Sequence, residues 1–121
     1  MLLKVLAAVL VWGNLCADER IIALSPAINE TLYALGAGDQ IIANTEYCNY
    51  PIEAKNKPKV GGYFSPSLEK ILSLSPTMVI LQENNAPLAA KIQKMGIKTR
   101  IIKIDTYSSI RESIFTMGRI V

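Results

Sequence analysis

Arg20-Ile-Ile-Ala-Leu-Ser-Pro-Ala-Ile-Asn-Glu-Thr-Leu-Tyr-Ala-Leu-Gly36 decides the fold class, because its apolar period changes in the middle. Residues 20–24 form a nearly continuous apolar run, the pattern of a strand buried on both faces of a parallel sheet. Ser25 then offers a helix cap, and Pro26 suits the first helical position, where its missing N–H costs nothing. Ile28, Leu32 and Leu35, with Tyr33, follow at helical spacing until Gly36 stops the pattern. Glu30 is expected in the first turn of that helix, where the dipole favours a carboxylate.

The strand-then-helix unit repeats. Gln40-Ile-Ile-Ala-Asn44 reads as a second strand, and Leu68, Ile71, Leu72 and Leu74 mark a helix ending near Ser75-Pro76. Thr77-Met-Val-Ile-Leu81 is a third strand. Residues 85–95 are helical, with Leu88, Ile92 and Met95 on one face and Gly96 as the stop, and Thr99-Arg-Ile-Ile-Lys-Ile104 is the fourth strand. Such alternation requires crossover connections, hence an α/β fold with a mainly parallel sheet and helices on both faces. Gly36-Ala-Gly38 resembles part of a dinucleotide fingerprint, but it follows a helix and precedes a strand, the reverse of a phosphate cradle, and so reads as a helix stop. Ser109-Ile-Arg-Glu112 reads as a capping box. From it Ile110, Ile114, Phe115, Met117 and Val121 continue an amphipathic helix that nothing terminates, so the sequence reads as the front part of something longer.

The 121 residues suffice for one domain, and 50% hydrophobic content supports a sizeable core. Net charge is +3, from 13 basic and 10 acidic residues without a dense basic run, which excludes a nucleic-acid footprint. The absence of His removes the commonest general base and metal ligand, and two Cys are too few for a structural zinc site. Residues 1–17 read as a signal peptide: Lys4 is the basic region, residues 5–12 the apolar stretch, and Leu15-Cys-Ala17 the small-residue site before Asp18. The run is too short to span a bilayer. The rival reading, a lipoprotein acylated at Cys16, requires a small residue where Leu15 stands. Either way the mature chain works outside the cytoplasm with one free thiol, Cys48.

Two stretches can carry function. Gly61-Gly-Tyr-Phe-Ser-Pro-Ser-Leu-Glu69 is a flexible turn that presents two aromatics and then enters a helix, with Ser65 as the expected cap, Pro66 at the first helical position and Glu69 in the first turn. Residues 45–59 form a long polar loop containing Tyr47, Tyr50, Pro51 and Pro58, and loops of that length usually bind something or wrap a surface. Tyr47, Tyr50 and Tyr63 all follow strand C-terminal ends, where open α/β sheets place ligands, and aromatics there suit a large flat molecule. The alternative is that these rings anchor loops or cover the edge of a core.

The order of motifs resembles the N-terminal lobe of periplasmic substrate-binding proteins for cobalamin, haem and ferric siderophores. The resemblance rests on Arg20-Ile-Ile-Ala-Leu-Ser-Pro-Ala27 with Asn29-Glu30 and Leu35-Gly36, then Tyr50-Pro51, Pro58-Lys-Val-Gly-Gly62, Leu68-Glu-Lys-Ile71 and Leu74-Ser-Pro-Thr-Met-Val-Ile80. It covers residues 20–121 and implies a two-lobed protein whose lobes are joined by a long helix, with ligand in the cleft and delivery to the permease of an ABC importer in the inner membrane. On that reading residues 18–107 are the N-terminal lobe and 108–121 the start of the interlobe helix. Ser25, Pro26 and Ala27 match the family's loop after the first strand, Tyr47 and Tyr50 the loop after the second, and Tyr63 a ligand-contacting aromatic. Glu69 matches the carboxylate that docks on permease arginines. The resemblance implies a periplasmic, non-enzymatic binder with no catalytic residue, metal site or cofactor of its own, the metal chelate being its transported substrate. The competing class is an exported α/β enzyme. No base lies beside Ser25 or Cys48 by local spacing, and Glu30 and Glu69 have capping and solvation as sufficient explanations.

Overall fold

The computed structural model describes residues 19–121. The signal peptide expected at residues 1–17, with Cys16 and the Asp18 start, lies outside the described residues. Strands β1 (Ile21–Ala23), β2 (Ile41–Ala43), β3 (Met78–Gln82) and β4 (Lys98–Ile102) form one sheet in the order β2-β1-β3-β4, with every pairing parallel. Helices α1 (Pro26–Ala34), α2 (Leu68–Ser73), α3 (Ala86–Lys94) and α4 (Tyr107–Ile120) supply the crossovers and flanks.

Period-two alternation along β1 and β3 divides the core. Ile21, Ala23 and Ile80 pack against Ile28 and Leu32 of α1 and Met117 of α4, while Ile22, Val79 and Leu81 pack on the other face against Ile71 of α2 and Ala89 and Ile92 of α3. Both faces of the two central strands are therefore covered, the arrangement their unbroken apolar runs require. Each fully buried Ile or Leu contributes on the order of 1.5–3 kcal/mol relative to exposure. The β1/β2 register slips by one residue, so that Ile21 pairs with Ile41 but Ile22 with Ala43; Ile41 and Ala43 accordingly fall in different clusters.

Several local details differ from the sequence reading. The cap of α2 is Ser67, whose Oγ accepts from Lys70 N at 3.3 Å, rather than Ser65. Pro66 is still in extended backbone there, held by an antiparallel bridge with Gly61, so the helix begins only after it. The cap of α4 is Thr106, not Ser109: Thr106 Oγ1 accepts from Ser109 N at 3.1 Å and Ser109 Oγ accepts from Thr106 N at 2.9 Å, a capping box in which Ser replaces the usual Glu or Gln. Glu30 falls beyond the first turn of α1. Arg20 precedes β1 and uses its guanidinium at the end of α2, with Nε donating to Ser75 O at 3.2 Å and Nη2 to Leu74 O at 2.9 Å, a cation at a helix C-terminus.

Candidate functional site

The C-terminal ends of all four strands open on one edge of the sheet, and the expected site residues are distributed along it. After β1, Ser25 is fully buried and its Oγ accepts from Ile28 N at 3.2 Å, capping α1. That engagement leaves Pro26 and Ala27 as the half-buried part of this loop. After β2, Tyr47 and Tyr50 are exposed, at 72% and 69% of their surface. Both rings are thus open to water on a loop whose backbone is otherwise pinned.

The pinning comes from two buried side chains, Asn29 and Asn44, and the half-buried Lys59. Asn29, on the inner side of α1, donates from Nδ2 to Tyr50 O at 3.1 Å and accepts at Oδ1 from Asn44 Nδ2 at 3.0 Å. Asn44 Nδ2 also donates to Ala54 O at 3.2 Å. Lys59 Nζ donates to Asn44 Oδ1 at 2.6 Å, to Ala54 O at 2.9 Å and to Cys48 O at 3.3 Å. Burial pushes the Lys59 ammonium below the ordinary lysine pKa, opposed in part by the Coulombic attraction that an ionised Cys48 would exert. Cys48 itself is buried, its Sγ 3.3 Å from Thr45 Oγ1. None of Asn29, Asn44 or Lys59 was singled out from sequence as a site residue. The available signal was a polar side chain at a core position of α1 and another ending an apolar strand.

Tyr63 stands on the far side of the same edge. Glu46 N donates to Gly61 O at 3.0 Å, tying the β2 loop to the glycine turn, and Asn85 Nδ2 donates to Tyr63 O at 3.1 Å, tying that turn to the end of β3. Tyr63 is half-buried and meets Phe64 edge to face, ring centroids 4.8 Å apart at 77°, while Phe64 itself is 85% exposed. Tyr63 lines a shallow cavity of about 170 Å³ with Gln82, Glu83, Asn84, Ile102, Ile104 and Asp105. Lys103 Nζ lies 3.9 Å from a carboxylate oxygen of each of Glu83 and Asp105, one cation against two anions. Of two larger cavities, one beside Tyr33 takes in Glu53 and Lys57 of the β2 loop and the other runs along the first turns of α4 from Tyr107 to Ile114; neither is lined by Tyr47, Tyr50 or Tyr63. Strand C-termini are where open sheets bind ligands, and the smaller cavity is the one they build.

Glu69 is exposed in the first turn of α2 and forms no ion pair among the described residues. Among the described residues no group of three or more His, Cys, Asp or Glu is placed to hold a metal ion, and no helix is long and apolar enough to cross a membrane.

A family model described as periplasmic binding protein matches residues 21–121. The chain is 36% identical over 98 residues to the vitamin B12-binding protein of Vibrio vulnificus strain CMCP6, a match covering 79% of this chain and 36% of that relative. Among solved structures it is similar to the periplasmic vitamin B12 binding protein BtuF of Vibrio cholerae, with a TM-score of 0.77, 33% identity, and coverage of 84% of this chain and 41% of the other. The periplasmic heme binding protein HutB of Vibrio cholerae is similar with a TM-score of 0.75, 28% identity, and coverage of 84% and 40%. The chain thus spans less than half the length of the relatives it matches.

Proposed function

The chain belongs to the periplasmic binding protein family, which locates it in the periplasm, and from that premise we propose that it supplies the N-terminal lobe of a substrate-binding component that captures cobalamin for an ABC importer. The observation that carries this reading is the set of aromatics in the loops at the sheet's C-terminal edge, with Tyr47, Tyr50 and Phe64 exposed and the half-buried Tyr63 lining a cavity of only about 170 Å³. Closed sites for small molecules occupy roughly 300–1,000 Å³, so this edge has the character of one wall of a cleft. A wall of rings offers wide contact area at low entropic cost to a large, flat chelate. Pro26 and Ala27 contribute the part of that wall after β1, with Ser25 buried beneath them as the cap of α1.

Cobalamin is favoured over haem by two considerations. The relatives of highest identity named above are vitamin B12-binding proteins. The Tyr63 cavity also carries Glu83 and Asp105 against Lys103 alone, which opposes the two propionates of haem and suits the neutral amide side chains of a corrinoid. Haem remains the second reading, because the exposed phenols of Tyr47 and Tyr50 are of the type that ligates ferric iron. On the same proposal Glu69 meets arginines of the permease, and α4 is the start of the helix that leads to the second lobe. Titration of the protein with cyanocobalamin, haemin and a ferric siderophore, followed by absorbance and by thermal stabilisation, tests it. Stabilisation by cyanocobalamin alone is expected; stabilisation by haemin with a tyrosinate-iron band would move the assignment to haem.

A further inference from the structure

The loop that carries Tyr47 and Tyr50 contains no strand or α-helix, only the short 3-10 turn Ile52–Asn56, yet it is fixed at Cys48, Tyr50 and Ala54 by side chains reaching up from beneath. Lys59 is the centre of that arrangement. Its ammonium meets three neutral oxygens, Asn44 Oδ1 and the carbonyls of Ala54 and Cys48, and it has no carboxylate partner among the described residues. Hydrogen bonds with one charged partner are roughly twice as strong as neutral ones, and each carbonyl left without its donor in a buried setting is costly. The backbone of Lys59 is held separately: Asn44 N donates to Pro58 O at 3.0 Å and Val60 N to Asn44 O at 2.9 Å, a parallel bridge that does not need the side chain. The ammonium is therefore free to serve the loop rather than the sheet.

We propose that Lys59 is a positioning residue of the ligand site, its ammonium clasped between Asn44 and the carbonyls of Cys48 and Ala54 so as to set the conformation in which Tyr47 and Tyr50 meet the chelate. The part concerning the chelate rests on the function proposed above. The part concerning the loop does not. A fifteen-residue connection left without anchors would sample many conformations, and ordering it on binding would weaken affinity accordingly. Asn44 relays the same constraint to Asn29 and thence to the carbonyl of Tyr50, so that one buried chain of hydrogen bonds holds the loop on both sides of residue 49.

The buried thiol of Cys48, 1% exposed, reports on the loop directly. Lys59→Met keeps the aliphatic stem and removes the donors; Lys59→Arg keeps a cation and donors. Maleimide labelling is followed by peptide mass so that only the Cys48 adduct is counted, alongside the thermal midpoint. The expected result is that Lys59→Met raises the labelling rate by about tenfold or more while the protein still unfolds cooperatively, and that Lys59→Arg restores protection. Cyanocobalamin affinity should fall about tenfold in Lys59→Met, with Tyr47→Ala costing less in that background than in the wild type. Wild-type labelling in Lys59→Met would overturn the proposal. So would labelling that rises only in step with global unfolding, since Lys59 would then be a general stabiliser. Should Lys59→Met not fold, Asn29→Ala, which removes the Tyr50 anchor and the link to Asn44 but leaves the Lys59 contacts in place, is put through the same labelling comparison, and labelling unchanged from the wild type would overturn the relay. If the wild type binds neither cyanocobalamin nor haemin while Lys59→Met still opens the loop, the functional reading fails and the role of Lys59 in the loop stands.

Discussion

Asn85 donates from its side-chain amide to the carbonyl of Tyr63, 22 residues away in sequence, at 3.1 Å. Asn85 is the residue before α3 but makes no capping bond there; its amide is spent on the aromatic turn. Asn85→Ala should therefore leave the carbonyl of Tyr63 without a donor and cost about 1 kcal/mol of stability, with a larger proportional effect on ligand binding because the ring loses its fixed base. Urea unfolding and chelate titration of the same variant separate the two effects. An unchanged affinity would show that the turn is held by other contacts.

The paired glycines of that turn are not equivalent. Gly61 has φ +116, and a Cβ built there would lie 2.9 Å from Ser65 O, whereas one at Gly62 would lie 3.6 Å from the nearest atom, Glu46 Oε2. Gly61→Ala is expected to destabilise by about 1–3 kcal/mol, combining backbone strain with the clash, and Gly62→Ala by about 0.5 kcal/mol or less. Chemical denaturation ranks them, and equal losses at the two positions would contradict the assignment.

The fold was largely legible in the sequence because continuous apolar runs and helical spacing do not depend on distant partners. Residues 20–36 have the same pattern whichever neighbours they acquire, and Ser25-Pro26 caps α1 as its local chemistry requires. Ser65-Pro66 has the same dipeptide signal and does not cap α2, because a bridge to Gly61, set by the turn, keeps Pro66 extended. The tyrosines could be picked out by residue type and by their place after strands. The side chains that hold their loop could not be assembled from spacing: Asn29, Asn44 and Lys59 meet only when α1, β2 and the end of the loop are packed.

Tyr33 carries a buried hydroxyl with no hydrogen-bond partner among the described residues. Burial raises its pKa above the ordinary 10.0, and Glu53 and then Asp39 push it further in the same direction. The folded chain thus holds this proton more tightly than the unfolded chain does, so the contribution is fully present below pH 10.0 and is lost as pH rises through the folded pKa. Lys59, lowered by burial, acts with the opposite sign below its own unfolded value of 10.5. Tyr33→Phe should be neutral or stabilising by up to about 1 kcal/mol at pH 7, since an unpaired polar group is removed, and should lose less stability above pH 10. Thermal midpoints from pH 8 to 11 decide it; parallel curves for the two proteins would discount Tyr33.

Helix α4 buries Met117 and Ser113 against the sheet and leaves Tyr107, Ile110, Ile114, Phe115 and Val121 exposed. The 121-residue chain by itself is expected to self-associate through this stripe, because contiguous apolar surface of that kind promotes association. Ile114→Lys with Phe115→Lys should abolish the association with little change in stability, as surface substitutions cost within about 0.5 kcal/mol. Sedimentation velocity across a concentration series gives the answer, and a strictly monomeric wild type would remove the basis for the prediction.

Tyr63 and Glu69 belong to one short segment but are proposed to face different partners. The ring of Tyr63 lines the cavity at the strand ends, and the carboxylate of Glu69 is exposed one turn into α2. If Tyr63 stacks on the chelate, Tyr63→Ala should weaken cobalamin binding by about 1–3 kcal/mol with the fold retained, the loss expected for an interfacial aromatic anchor. Glu69→Ala removes a carboxylate that the dipole of α2 favours, worth about 0.3–1 kcal/mol of stability, and should leave affinity for the chelate unchanged. On the proposed docking role its effect should instead appear in uptake by cells carrying the importer, where a permease arginine would lose its partner. Restoring uptake with Glu69→Asp, but not with Glu69→Gln, would locate the requirement in the charge rather than in the shape of the side chain, as an ion pair across an interface demands. Lost affinity in Glu69→Ala, or full affinity in Tyr63→Ala, would mean that the two ends of this segment exchange roles.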